Sequence, residues 1–464
     1  MKKSTICIIA AAVVILAAVG GAVGYHYWYQ NNHVFVEDAV YEKELTQVDL
    51  RGTGVSLEHY ESLRQQLPDC EIRYDLPFQG GFYPDDTTEL TLTSLTEEEA
   101  VLLDYLPELK RIHAEGCRDY AVLTALRQRR PDCEITYTVE LYGKEYPDDT
   151  KELSFGDEKL DIQELTDMLP WLPEMESVSF DQPGVSAQDL KTLMEAFPEI
   201  SITWEKDAFG TTYASDITQI DLTGMLMESP EDVVDELAYF PALEKVIMAE
   251  CGTTKKDWFD NETMAAFREK MRPEYTVVWA MKINGLTVRT DDKYFMPAKY
   301  GKVATNYQVQ DLIYCEEMLC VDLGHMAITR LDFVTGMPHL KYLIVADGPL
   351  IFIEPLATCK ELVYLELFRT EVSDFTPLLE CTSLEDINVV RTNGDPMVFV
   401  DMPWLKHVWI SPWRMTAEKR EKLQAALPDA KIQYNPFDPS SCGWRDIPNY
   451  FAMRDLLGMP YNTW

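Results

Sequence analysis

Apolar residues recur along this chain with a period longer than any single helix or strand. The pattern apolar-x-x-apolar-x-apolar occurs at Met318-Val321-Leu323, Leu340-Leu343-Val345, Leu362-Leu365-Leu367, Leu384-Ile387-Val389 and Leu405-Val408-Ile410, with starts 22, 22, 22 and 21 residues apart. Other apolar positions keep phase with it: Ile328, Leu350 and Val372, then Leu331, Ile353, Phe375 and Met397, then Val334, Leu356, Leu378 and Val400. The alternation predicts a short strand whose alternate side chains point inward. The later apolar positions bring the chain back beneath it. One unit cannot bury its own apolar edge, so successive units must stack into a solenoid.

A longer repeat fills the first half. Pro68, Pro131, Pro198 and Pro273 open similar stretches, followed in phase by Ile72, Ile135, Ile202 and Val277, by Tyr74, Tyr137, Trp204 and Trp279, and by Gly80, Gly143, Gly210 and Gly285. Each stretch predicts a strand, a Gly turn and a return strand, hence a β-hairpin. Amphipathic helices precede them: Leu57, Tyr60, Leu63 and Leu67 share a face behind the cap Ser56, and Ser186 repeats the device before Ala187. The strand signature also appears at Leu45-Val48-Leu50, Leu109-Ile112-Ala114, Met175-Val178-Phe180, Ile217-Ile220-Leu222 and Leu243-Val246-Met248. One continuous strand ladder is therefore expected from about 45 to 410. Residues 250–317 are the least regular, with a helix near 261–271, and read as a bridge between the halves. Residues 411–436 repeat the helix and first strand as a C-terminal cap.

The 22-residue units resemble the bacterial leucine-rich-repeat family, in particular its internalin-like type, over about residues 318–410. The resemblance implies an α/β leucine-rich-repeat solenoid with a parallel strand ladder, interspersed helices and hairpins. The family places Asn three residues after the third apolar position. Here Met326, Gly348, Thr370 and Thr392 stand there, so less regular turns are expected. In such an arc the positions beside the inward residues form a concave, solvent-open sheet. They include Tyr342, Tyr364, Glu366, Phe368, Asp386, His407 and Trp409, with Arg369 and Arg391 one step further. Aromatics mixed with Arg and acids suit recognition, so this face is expected to bind a protein or glycan ligand. The competing expectation is that residues 250–317 or the aromatic tail 442–464 fold over it. The tail itself reads as a cap on the solenoid's open end, or as a docking peptide.

The N-terminus differs. Lys2 and Lys3 precede Ile6 to Val23, eighteen residues without charge or Pro, and Tyr25, Tyr27, Trp28 and Tyr29 follow. About 27 Å of helix spans a hydrocarbon core, and the basic residues in front place the body outside the cell membrane. A cleaved signal segment, which would leave the body secreted, is the competing reading, since Ala22-Val23-Gly24 has the small residues of a cleavage site. The chain thus divides into an anchor or signal (1–29), a stalk (30–44), long repeats with hairpins (45–249), a bridging segment (250–317), 22-residue repeats (318–410) and a cap with tail (411–464).

Composition narrows the function classes. The chain has 41 Lys and Arg against 78 Asp and Glu, a formal net charge of −37, and no basic cluster, which excludes a general nucleic-acid binder. A mean hydropathy of −0.19 excludes a polytopic membrane protein. No catalytic, cofactor-binding or metal-binding motif stands out. The pairs Asp85-Asp86, Asp148-Asp149 and Asp291-Asp292 recur after hairpins and read as turn chemistry. Cys359 and Cys381 share an inward phase and read as small core residues. The sequence therefore points to non-covalent recognition at the cell surface. The alternatives are a structural envelope scaffold and a hydrolase with its site in 250–317.

Overall fold

The computed structural model describes residues 20–157, 159–434 and 441–461. The membrane-span expectation for residues 6–23 therefore lies mostly outside the described residues. Residues 20–32 are helical, and no helix among the described residues is long and apolar enough to cross a membrane. Two compact units divide the chain, the first ending at Trp204 and the second beginning at Glu205.

In the first unit the repeat strands form parallel pairs and triplets. Gln47–Asp49 pairs with Glu71–Arg73, Glu89–Thr91 with Arg111–Ala114, and the latter with Glu134–Leu141. The eight-residue strand Glu134–Leu141 has two jobs: its first half continues the parallel ladder and its second half pairs antiparallel with Lys144–Pro147. The hairpin turns are tight because two successive residues are left-handed, as at Gln79-Gly80 (φ 45° and 78°) and Tyr142-Gly143 (φ 50° and 71°). That geometry matches strand twist and needs Gly at the second position.

The continuous ladder expected from 45 to 410 is not formed. In the first unit separate sheets follow one another, because the residue that closes each hairpin occupies the backbone the next strand would need. Asp148 N donates to Tyr137 O at 3.0 Å while Asp148 Oδ1 accepts from Tyr137 N at 3.1 Å. Asp85 N makes the equivalent bond to Tyr74 O at 2.8 Å. In the second unit Thr290 does the same to Trp279. The recurrent aspartates are thus strand-end clamps, and Asp148 also pairs with Arg127.

The second unit opens with the three-stranded parallel sheet Gln219–Asp221, Lys245–Ile247 and Thr276–Val278 and the hairpin Ala280–Ile283/Leu286–Arg289. A seven-stranded parallel sheet follows: Tyr294–Phe295, Cys320–Asp322, Tyr342–Ile344, Tyr364–Glu366, Asp386–Asn388, His407–Trp409 and Lys431–Gln433. Its register aligns Val321, Leu343, Leu365, Ile387, Val408 and Ile432. This is a leucine-rich-repeat architecture, and the ladder starts inside the segment that reads as irregular. The helix near 261–271 is Asn261–Met271, capped by Asp260.

Beneath the sheet each repeat returns through a short tight helical turn: Asp332–Gly336, Glu354–Thr358, Thr376–Glu380 and Pro396–Asp401. Inward residues such as Leu343, Leu365, Ile387, Cys359 and Cys381 are fully buried in one core cluster. Threonine replaces the missing asparagine: Thr370 Oγ1 donates to Leu367 O at 2.8 Å and Thr392 Oγ1 to Val389 O at 2.6 Å. These two turns therefore keep a side-chain bond to the strand end, whereas Met326 and Gly348 have no side-chain donor to make one. His325, Asp347, Arg369 and Arg391, again 22 residues apart, all take positive φ (52–64°) at the strand exit.

Candidate recognition face

The side of the seven-stranded sheet opposite the core carries every site residue expected from the sequence, but it is not open to solvent. Strand alternation aims Tyr364 and Glu366 away from the core while Leu365 enters it. Phe368 and Trp409 share that side, in an apolar cluster of their own. Tyr364, Glu366, Phe368, Asp386 and Trp409 are at most 2% exposed. Tyr342 and His407 are half-buried, and only Arg369 and Arg391 of the set are exposed. The covering element is the chain's own tail, whose helix Pro448–Leu456 and preceding turn bring Trp444, Ile447, Tyr450, Met453 and Leu457 against this face. The expectation of a solvent-open face is thus corrected, and the competing one, that the aromatic tail folds over it, holds. An aromatic, acidic surface repeated over several strands binds apolar side chains, and the chain supplies them.

The contact is aromatic at its centre. Trp444 stacks on Tyr364 at 4.7 Å between ring centroids and meets Trp409 edge-on at 4.8 Å. Around it lie polar groups out of water. Glu366 Oε2 accepts from Trp444 Nε1 at 2.8 Å and from Tyr364 Oη at 3.2 Å. Burial nevertheless outweighs these bonds and pushes its carboxyl up to about 7. Burial also raises Asp322 and Asp386. Asp386 is held between His407 Nδ1 at 2.6 Å and Asn449 Nδ2, which donates to it at 2.9 Å. Lys299 Nζ donates to Leu457 O at 3.1 Å, fixing the end of the tail helix.

A cavity of about 380 Å³ remains between tail and sheet, lined among others by Asp322, Gly324, His325, Glu366, Arg445 and Arg454. Two N–H donors on this face have no acceptor among the described residues: Asn388 Nδ2 and Trp409 Nε1, on register-paired residues of neighbouring strands and both fully buried. Asn388 Oδ1 accepts from Val390 N at 3.1 Å, so its amide nitrogen is the end left over.

Arg369 and Arg391 are brought to the rim rather than the centre. Arg369 pairs with Asp347 at 2.8 Å, and Arg391 lies 6.0 Å from the Phe368 ring centroid. Asp322 and Asn388, which the strand phase places on the same outward side as Glu366, join the site, and the individual partners that sequence reasoning missed are Trp444 and Arg445 of the tail. The tail residues carry no periodic signal.

Elsewhere the candidate chemistry resolves into structure. In 250–317, Asp291 is ion-paired with Arg289 and Lys245, and Asp292 Oδ2 accepts from Arg289 N, which makes a turn clamp of the pair. Burial pushes the Cys315 thiol up to about 12. Among the described residues no group of three His, Cys, Asp or Glu side chains converges on a metal position.

No protein-family model matches this chain, and no curated protein matches it. Among solved structures it is similar to internalin C2 of Listeria monocytogenes, at 15% identity over 54% of this chain and 92% of that one, with a TM-score of 0.25. A second Listeria monocytogenes internalin aligns at 12% identity over 86% and 91% of the two chains, TM-score 0.24. A leucine-rich-repeat protein of Leptospira interrogans aligns at 10% identity over 74% and 93%, TM-score 0.27. At such TM-scores these superpositions add nothing to the strand register, which itself defines the repeat.

Proposed function

We propose that this protein is a recognition module that binds a segment of another protein on the outer face of its seven-stranded sheet, the face opposite the core, without enzymatic activity. The observation that supports this reading is that the face accommodates a helical, aromatic segment, Pro448–Leu456 with Trp444 ahead of it, in a cluster separate from the solenoid core. A sheet that needed no ligand could complete its outer side with polar residues. This one places Tyr364, Phe368 and Trp409 there around two carboxylates. Aromatic anchors in a desolvated centre are what hot spots are made of.

The body is proposed to stand outside the cell, tethered by residues 6–23, because Lys2 and Lys3 precede an uncharged run long enough to span. Protease added to intact cells should then digest the repeats, and alkaline extraction should leave the chain with the membrane.

The binding test uses the full chain with its own tail weakened by Trp444→Ala and Tyr450→Ala, and a labelled synthetic peptide of residues 441–461 as probe. Fluorescence anisotropy should report saturable binding that Trp409→Ala in the same background abolishes. A folded protein that ignores the peptide would sink the proposal.

A further inference from the structure

We infer that residues 441–461 are a displaceable occupant of the outer face of the seven-stranded sheet, holding the place of a partner segment that carries cationic and aromatic side chains together with a hydrogen-bond acceptor. The inference rests on the recognition reading above and names the partner's chemistry and its competitor.

Three features of the contact point this way. First, the tail is complementary in kind. The face offers Asp322, Glu366 and Asp386, and the tail brings Arg445, whose charge bears on both Asp322 and Glu366, with Arg454 beside the cavity. In a chain of net charge −37, this is a local place where cations meet the sheet.

Second, the tail is an imperfect fit. Asn388 Nδ2 and Trp409 Nε1 are fully buried without an acceptor among the described residues. Buried donors are almost always satisfied, and an orphan pair in register on adjacent strands marks a place where an acceptor belongs. A partner carbonyl or carboxylate set there would make bonds the tail leaves unmade. The cavity of about 380 Å³ beside Glu366 gives a further cationic side chain room.

Third, the tail can leave without opening the solenoid. The residues it covers form one apolar cluster, and the inward residues of the repeats form another. Detachment exposes the first and leaves the second closed.

Protons bear on the same contact. Glu366 faces Tyr364 on its own strand, Asp322 on an earlier one and Arg445 from the tail; the Asp386–His407 pair lies on later strands of the same face, and Tyr450, Arg454, His325 and Asp347 line the cavity it borders. Docking buries its carboxyl, so docking takes up a proton. The docked tail is therefore favoured below the ordinary carboxylate range and loosens as pH rises through about 7.

Hydrogen exchange on the full wild-type chain tests this directly. Amides of residues 449–457 should exchange at least 100-fold faster than those of Tyr342–Ile344 and Tyr364–Glu366, after correction for intrinsic rates. That gap should widen about tenfold between pH 5.5 and 8. Tail and strands exchanging together at both pH values would overturn the inference and make the tail an integral part of the fold.

The labelled peptide of residues 441–461 separates the remaining outcomes. It should bind the Trp444→Ala/Tyr450→Ala chain at least tenfold more tightly than wild type. The same peptide with Arg445→Gln and Arg454→Gln should bind at least tenfold more weakly. Equal affinity for wild type and variant would refute competition while leaving the recognition face intact. Equal affinity of both peptides would refute the cationic partner. Binding to neither protein would remove the recognition reading as well.

Discussion

The two faces of the seven-stranded sheet are built from the same strands and closed in different ways. The inner face is closed by repetition. Val321, Leu343, Leu365, Ile387 and Val408 stack in register, so each repeat covers its neighbour with the same kind of side chain. None of these stacked side chains carries a polar atom. The outer face is closed once, by a segment that does not repeat, over Tyr364, Glu366, Asp386, Asn388 and Trp409. Its polar groups differ from strand to strand, and one short helix cannot meet them all. The inner face therefore sets stability, and the outer face is left able to exchange its cover.

The largest expected effect tests the inner face. Leu365→Ala or Ile387→Ala removes a fully buried side chain between two repeats that cannot collapse independently. A loss of about 2–5 kcal/mol is expected in urea unfolding, because the cavity adds to the lost transfer energy. A loss below about 1 kcal/mol would mean the repeats do not share one core.

The next effect lies on the outer face and has a pH signature. Glu366 moves from an ordinary carboxyl of 4.5 when the face is open to about 7 under the tail. Its charged form therefore weakens docking by up to about 3 kcal/mol above neutral pH, and by nothing below pH 4.5. Glu366→Gln keeps an acceptor for Trp444 Nε1 and removes the charge. The variant should hold its tail more tightly than wild type at pH 8 and about equally at pH 4.5, as read by exchange of the tail amides. No difference at pH 8 would show that Glu366 stays solvated in solution.

The same contrast explains what was legible in the sequence. Positions 321, 343, 365, 387 and 408 announce themselves because a solenoid core needs the same side-chain class at a fixed interval. The hairpins were legible for a similar reason, since a left-handed pair such as Tyr142-Gly143 needs Gly at its second position. The ladder breaks were not, because they depend on which backbone groups Asp148 and Thr290 engage, and any strand-turn-strand pattern is compatible with either outcome. The outward residues of the face were found by phase. Their burial under the tail stood only as the competing expectation, and its individual contacts were not legible, because the tail docks through single residues, Trp444, Tyr450 and Asn449, whose partners lie 35 to 86 positions away with no periodicity to reveal them.

The finest distinction separates two tryptophans that touch. Trp409 and Trp444 meet at 4.8 Å between ring centroids, and both are fully buried. Trp444 Nε1 donates to Glu366 at 2.8 Å, whereas Trp409 Nε1 has no acceptor among the described residues. Replacing either by Phe removes a similar apolar area, so that cost largely cancels in the comparison. Trp444→Phe in addition breaks a hydrogen bond to a buried carboxyl, a loss of about 1.5–3 kcal/mol. Trp409→Phe instead removes an orphan donor and recovers about 1–3 kcal/mol of desolvation penalty. Tail-amide exchange should therefore accelerate strongly in Trp444→Phe and stay within about threefold of wild type in Trp409→Phe. If Trp409→Phe loosens the tail as much as Trp444→Phe does, its indole N–H already has an acceptor in solution. The outer face would then be as completely satisfied as the inner one, and no partner would have that advantage over the tail.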